Sequence, residues 1–277
     1  MLVRKINSQV LFHPESLGDI SALKKFPGME ETAIGTTCPA KGPIFRNIYS
    51  RLTKANPKLS FKLSPEAKQL LTVESLSELP KSFTFHTQPL RHQLVALRFL
   101  YTNKGGGLLL DPGLGKTKVC LDFMYLEKFH RVLVICPKAL MFVWEEEIAR
   151  HRPELTSHQF LTTDTDQLRE ARGKTVWIMN YRKASILEEV LLKEKFDAVF
   201  IDEGLVKDPT SDQTEAITKL SKKIPVKVIM SGTLVNNTEG DVFAPIRILE
   251  PSLVGWSYGK FRDEYLSTWQ PYGKSED

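Results

Sequence analysis

Five short, strand-like apolar runs, the last interrupted by Lys227, punctuate the later two thirds of the chain: Leu108–Leu110, Val132–Cys136, Val176–Met179, Ala198–Ile201 and Val226–Met230. Between them the apolar positions switch to helical spacing, over Thr117–Leu126, Leu140–Arg150, Lys183–Leu192 and Gln213–Leu220. Upstream, Gln88-Pro89-Leu90-Arg91 opens a further helical pattern through Leu94, Leu97 and Leu100. Strands without polar alternation must be covered on both faces, and helices alternating with them supply the cover. The pattern predicts an α/β fold with a parallel sheet and helices on both faces. In such sheets ligands bind beyond the carboxyl ends of the strands.

The earlier part reads differently. Val3–Phe12 has the character of a strand, and Pro14–Phe26 of a short helix with Leu17, Ile20, Leu23 and Phe26 on one face. A second helix is expected over about Ile44–Leu52 and a strand over Phe61–Leu63. Ser64-Pro65-Glu66 has the cap and first-turn proline that start another helix. These elements suggest a small α/β module closing near Leu79-Pro80, hence a division into an accessory module at 1–84 and a main domain at 85–277.

Charge sharpens that division. Residues 1–84 hold 12 Lys/Arg against 7 Asp/Glu, which is the whole net charge of +5, and the remaining residues hold 26 of each. A basic module beside a neutral one is compatible with contact to nucleic-acid phosphates, and equally with a merely solvated basic surface. The three cysteines, Cys38, Cys120 and Cys136, are too widely separated for a disulfide framework or metal-ligand spacing, and read as free thiols in a reducing compartment. No apolar run approaches the ~18 residues of a membrane span, so no membrane partner is expected.

The candidate chemistry sits where the predicted strands end. After Leu108–Leu110 comes Asp111-Pro112-Gly113-Leu114-Gly115-Lys116-Thr117, a glycine-punctuated turn opening a helix. Strand, Gly-rich turn, Gly-Lys-Thr and helix form the phosphate cradle of P-loop nucleotide hydrolases, in which backbone N–H groups and the helix N-terminus face the phosphates. Lys116 would reach the β- and γ-phosphates and the Thr117 hydroxyl would ligate Mg²⁺. The longer G-x-x-x-x-G-K-T spacing would want glycine at Leu110, so the form here is the shorter G-x-G-K-T. After Ala198–Ile201 the chain delivers two adjacent carboxylates, Asp202 to hold Mg²⁺ and Glu203 to orient and deprotonate water. Ser231, Gly232 and Thr233 end a third strand, where the two hydroxyls could bond the acids and sense the γ-phosphate. Gln93 has a carboxamide that can pair with the amino and N7 edge of adenine.

Taken in order, Gln93, Gly113–Thr117, Val134-Ile135-Cys136-Pro137-Lys138, Met179-Asn180-Tyr181, Asp202-Glu203-Gly204 and Ser231-Gly232-Thr233 resemble superfamily II helicases. The resemblance narrows to their Swi/Snf-type double-stranded-DNA translocase branch. It rests on Cys136-Pro137-Lys138-Ala139-Leu140 with Trp144-Glu145-Glu146-Glu147, on Asp202-Glu203-Gly204 followed by Lys207, and on Ser231–Asn237 with Leu249-Glu250-Pro251 and Phe261–Tyr265. It covers about residues 88–266. It implies a RecA-like P-loop lobe using ATP and Mg²⁺. Gln93, Gly113, Leu114, Gly115, Lys116, Thr117 and Lys118 would bind nucleotide, with Lys116 and Glu203 catalytic. Thr117 and Asp202 would hold metal, and Ser231, Gly232 and Thr233 would couple the sites. Pro137, Lys138, Asn180 and Tyr181 would touch the DNA backbone without reading sequence. The residues themselves leave Lys138 equally readable as solvated surface, and favour packing for Trp144 and Tyr181.

Several positions depart from the branch. Leu205 stands where histidine is usual, Asp208 where asparagine is usual, and Leu234 where proline is usual. The departures put DNA-coupled stimulation in question more than ATP binding. The resemblance also implies a second RecA-like lobe supplying arginines to the γ-phosphate, whereas Tyr265 is followed by only a dozen residues. The expectation is therefore one lobe of an ATP-dependent duplex-DNA translocase, nearly inactive alone, with the second lobe in cis or in trans. A nucleotide-gated DNA- or partner-binding module and an RNA helicase lobe are the alternatives. The expected location is cytoplasmic in a bacterial or phage setting and nuclear otherwise.

Overall fold

The computed structural model describes residues 2–6, 9–13, 30–32, 35–39, 62–63, 76–203, 211–233, 239–254 and 257–265. The chain divides into two compact units, Met1–Ser75 with Glu250–Ser257, and Leu76–Leu249 with Tyr258–Asp277.

The first unit holds β1 (Leu2–Ile6), β2 (Gln9–His13), β3 (Glu30–Thr32), β4 (Gly35–Pro39) and β5 (Lys62–Leu63). They form one sheet in the order β3-β4-β2-β1-β5. The single strand expected over Val3–Phe12 is an antiparallel pair, with Ile6 opposite Gln9. A second hairpin, β3 with β4, was not expected; its strands are threonine-rich rather than apolar. β5 lies parallel to β1 within the strand expected at Phe61–Leu63. The helices expected over 14–26, about 44–52 and from 64 onward lie outside the described residues.

The second unit is a wholly parallel sheet of β6 (Gly106–Leu109), β7 (Val132–Cys136), β8 (Ser157–Gln159), β9 (Val176–Asn180), β10 (Ala198–Asp202) and β11 (Val226–Ser231). Their order is β6-β11-β10-β7-β9-β8. The connecting helices are α1 (Arg91–Asn103), α2 (Lys116–Leu126), α3 (Met141–His151), α4 (Gln167–Ala171), α5 (Tyr181–Ile186), α6 (Glu188–Leu191), α7 (Asp212–Lys223), α8 (Phe243–Leu249) and α9 (Tyr258–Tyr265). The helix expected from Gln88 begins at Arg91, because proline at 89 disfavours helical backbone at the residue before it. The helix expected over Lys183–Leu192 is two short ones that meet at Leu187.

Alternate residues of each strand feed two cores. Val132, Val134 and Cys136 of β7 point with Val176, Phe200 and Met230 into a layer closed by Leu97, Phe123, Trp144 and Ile148. Leu133 and Ile135 point the other way, with Trp177, Val199 and Ile229, into a layer closed by Leu168, Ala184, Leu191, Ile217 and Ile248. All five residues of β7 and of β10 are buried, which is why those runs carry no polar alternation. Each large side chain so buried stabilises the fold by about 1.5–3 kcal/mol. Leu79, Phe83 and Phe85 pack on the first layer, so the segment just before α1 lies against the parallel-sheet unit. No helix among the described residues is long and apolar enough to cross a membrane.

Candidate functional site

Because the sheet is wholly parallel, its carboxyl ends share one edge. Register then decides which ends are neighbours: Ser231 lies beside Leu109, and Asp202 beside Met230. The turn after β6, the Ser231–Thr233 turn after β11 and the two acids ending β10 therefore stand in a row. The turns after β7 and β9 continue that row, with Cys136 beside Asn180.

The turn after β6 is shaped by its glycines. Gly115 caps α2 with φ +78, a left-handed conformation that a side chain strains, and a Cβ there would lie 2.4 Å from Gln93 Nε2. That close approach lets Gln93 Nε2 donate to the Leu114 carbonyl at 3.1 Å, while Gln93 Oε1 accepts from the Leu90 N–H at 2.9 Å. The buried glutamine thus ties the start of α1 to the glycine turn. His92 Nε2 meets the same Leu114 carbonyl at 3.0 Å, a contact that no sequence signal marks. Lys116 is 8% exposed, and its ammonium donates to the Leu110 carbonyl at 2.7 Å and the Asp111 carbonyl at 3.3 Å. It therefore lies folded over its own turn. Thr117, the second residue of α2, is half-buried at the helix N-terminus. Lys118 differs: its ammonium sits 2.7 Å from Asp122 in the core, so only its backbone N–H is offered toward the turn.

Asp202 is 6% exposed. Burial raises its pKa above the ordinary carboxylate value and the neighbouring Glu203 charge adds to that, while a hydrogen bond from Trp144 and the charge of Lys116 oppose it. Trp144 Nε1–H donates to Asp202 Oδ2 at 2.9 Å, and the Tyr181 hydroxyl donates to the Asp202 main-chain carbonyl at 2.7 Å. Packing alone was the sequence expectation for Trp144; its partner lies 58 positions away, a pairing that periodicity cannot disclose. The Tyr181 hydroxyl is spent on the strand that carries the acids. Glu203 follows in left-handed backbone at φ +53, rare for a residue with a side chain and of the kind concentrated at functional sites. Burial, and then the Asp202 charge, push the Cys136 thiol up to about 12, which keeps it an inert core residue.

Ser231 and Thr233 bond each other locally, the Ser231 hydroxyl donating to the Thr233 carbonyl at 2.6 Å and accepting from its N–H at 3.1 Å. Between them, a Cβ on Gly232 would lie 2.9 Å from Pro112 Cδ, so the turn after β11 presses against the turn after β6. Farther along the edge, Asn180 caps α5 by accepting from the Lys183 N–H at 2.9 Å. Pro137 precedes the single turn Lys138–Leu140, where Lys138 is exposed.

The donor set suits a magnesium nucleotide. Gly113 and Gly115 carry the turn through left-handed backbone, Lys116 supplies a cation, and a hydroxyl and a carboxylate supply the hard oxygen donors Mg²⁺ prefers. Among the described residues no three His, Cys, Asp or Glu side chains gather into a metal cluster. A magnesium ion held largely through phosphate oxygens and water needs none.

Comparison with known proteins agrees with this fold. A family model described as SNF2-related domain matches residues 92–271. A SWI/SNF-related matrix-associated actin-dependent regulator of chromatin subfamily A-like protein 1 homolog from Caenorhabditis elegans is 26% identical over 215 residues, covering 76% of this chain and 29% of its own. The DNA annealing helicase and endonuclease ZRANB3 of Bos taurus is 25% identical over 214 residues, covering 72% of this chain and 19% of its own. Among solved structures, the SWI2/SNF2 ATPase core of Sulfolobus solfataricus in complex with dsDNA superposes with a TM-score of 0.60 at 24% identity, over 68% of this chain and 41% of that one. The chain thus spans less than half the length of each of these relatives.

Proposed function

The chain belongs to the SNF2-related family, and from that premise we propose that it is the ATP-binding lobe of an ATP-dependent translocase acting on duplex DNA. The observation that carries the reading is the abutment of three strand ends. The glycine turn with Lys116, the buried carboxylate of Asp202 and the Gly232 turn against Pro112 meet on one sheet edge.

In this reading Lys116 leaves its own carbonyls for the β- and γ-phosphates of ATP, and the N–H groups of Gly113–Lys118 cradle them. Thr117 and Asp202 would hold Mg²⁺, which when bound neutralises charge developing on the phosphates. Glu203, held by its left-handed backbone beside Asp202, orients the attacking water and takes its proton. Gln93 reads adenine while bracing the turn through Leu114. Ser231 and Thr233, joined through Gly232 to Pro112, sense whether the cradle is filled. Pro137, Lys138 and Asn180 contact the backbone of duplex DNA, the ligand with which the archaeal SWI2/SNF2 core was solved. The basic residues of 1–84 add sequence-independent phosphate affinity. Such work places the protein where duplex DNA is, in a nucleus or in the cytoplasm of a cell without one. Efficient turnover requires a second RecA-like lobe.

The test is titration of a fluorescent ATP analogue, with Mg²⁺, against wild type and Lys116→Ala. Removing the ammonium should weaken binding by about 2 kcal/mol or more, the scale of a charged hydrogen bond. Equal affinities would remove the cradle assignment.

A further inference from the structure

The Trp144 indole is fully buried, in the layer closed by Leu97, Phe123 and Ile148. An indole has one N–H and no acceptor, and a buried one needs a partner. Its partner here is no backbone carbonyl of the core but the side chain of Asp202, at 2.9 Å. With the Tyr181 hydroxyl on the same residue's main-chain carbonyl at 2.7 Å, Asp202 is pinned at two points. Hydrogen bonds to an ionised acceptor are stronger and more directional than neutral ones. Trp144 also lies on α3, the helix that begins directly after the Lys138–Leu140 turn.

We propose that Trp144 is a positioning residue for Asp202: its N–H fixes one carboxylate oxygen so that the other is presented to the magnesium of a bound nucleotide. The inference rests on the ATP-site reading above. A carboxylate on a flexible Cβ–Cγ bond can rotate both oxygens past a metal. With Oδ2 held by a rigid indole in a packed core, that rotation is closed off. Partners of this kind, one bond removed from the metal, set ligand orientation and so metal affinity. Because α3 carries the indole, displacement of the Lys138–Leu140 turn would be felt at the acid through one hydrogen bond.

Two replacements in the 277-residue chain separate this role from packing. Trp144→Phe removes the N–H with some volume; 3-benzothienylalanine at 144 keeps the bicyclic shape and puts sulfur in place of N–H. Both are measured with a fluorescent ATP analogue in EDTA and across a Mg²⁺ titration, beside a melting curve in EDTA. The expected result is unchanged affinity in EDTA with a ~10-fold or greater rise in the free Mg²⁺ needed for half-maximal tightening. If the benzothienyl protein folds and titrates with Mg²⁺ as wild type does, or loses affinity equally with and without Mg²⁺, the proposal is overturned, whatever the Phe variant does. Asp202→Ala separates the two levels of argument. If wild type shows no Mg²⁺-dependent tightening, or Asp202→Ala leaves it intact, the ATP-site reading itself falls, and this inference with it. If Asp202→Ala abolishes the tightening and the Trp144 replacements do not shift it, only the role of Trp144 falls.

Discussion

Lys183 is 9% exposed, and burial lowers its pKa, with the positive charge of Lys138 lowering it further. Two like charges thus repel across the turns that follow β7 and β9, where DNA phosphate is proposed to lie. A group whose folded pKa is below its unfolded value binds fewer protons when folded, so its contribution to stability rises with pH across the interval between the two. At neutral pH, below that interval, the Lys183 charge is a standing cost that an anion would offset. Lys138→Gln is therefore expected to raise the melting midpoint at neutral pH, with the gap narrowing as alkaline buffer removes the Lys183 proton. The same variant should bind duplex DNA more weakly, lowering the salt slope by about one. A melting midpoint at or below wild type at neutral pH would remove the repulsion argument. The sequence disclosed Lys138 through the family pattern at Cys136–Leu140, but not Lys183, which lies buried in the first turn of α5. The same limit hid the bond from Trp144 to Asp202. A sequence names residues that do chemistry, and leaves unnamed the distant ones that hold them.

Between elements, a buried charge cluster ties α2 to the residue that follows α3. Asp122 on α2 is 2% exposed and takes Lys118 Nζ and Arg152 Nε at 2.7 Å each. The Arg152 guanidinium lies 4.9 Å from the Phe83 ring and 4.4 Å from Tyr125, and Lys118 Nζ lies 5.5 Å from Phe85. The three charged groups therefore clamp the segment before α1 onto the lobe. Asp122→Ala would leave two buried cations without their carboxylate, and should destabilise the lobe by about 3–5 kcal/mol. Denaturant unfolding measures this, and a loss under about 1 kcal/mol, the scale of an exposed ion pair, would mean that water reaches the cations. Nothing in the helical pattern over Thr117–Leu126 marked Lys118 and Asp122 as a buried pair, since at one helical turn they read as an ordinary surface pair. The elements themselves were legible where burial on both faces forces continuous apolar runs, as in β7 and β10. They were illegible where it does not. Ser157-His158-Gln159 is a polar edge strand of three residues, and Gln167–Ala171 is too short to express a helical period. At Leu187 the expected helix breaks without proline or glycine, its backbone moving to φ −90 and ψ 7.

At the scale of the molecule, the described residues contain one wholly parallel sheet, whose carboxyl edge carries the proposed nucleotide site, and the chain spans 41% of the archaeal SWI2/SNF2 ATPase core. In related phosphoryl-transfer enzymes an arginine reaching the transferring phosphate from outside the cradle is worth ~10³–10⁵ in turnover. In the proposed site the edge built by β6, β11 and β10 would supply a cradle, two metal-binding oxygens and a base, all from within one lobe. Among the described arginines Arg152 pairs with Asp122, Arg131 with Glu194, Arg98 with Glu78 and Arg262 with Asp263, and the proposed site includes no arginine. The 277-residue polypeptide should therefore bind Mg·ATP with the full contribution of Lys116 yet hydrolyse it very slowly, and duplex DNA should stimulate it little. Steady-state phosphate release, with and without DNA, measures this, and Glu203→Gln subtracts contaminating hydrolase because its amide cannot take the water's proton. Supplying a second RecA-like lobe from an SNF2-family relative, fused or in trans, should restore DNA-dependent turnover only if its arginines are intact. Rapid DNA-stimulated hydrolysis by the 277 residues alone, lost in Glu203→Gln, would overturn the requirement for a second lobe. It would point instead to an arginine of this chain, or of a second copy, reaching the γ-phosphate.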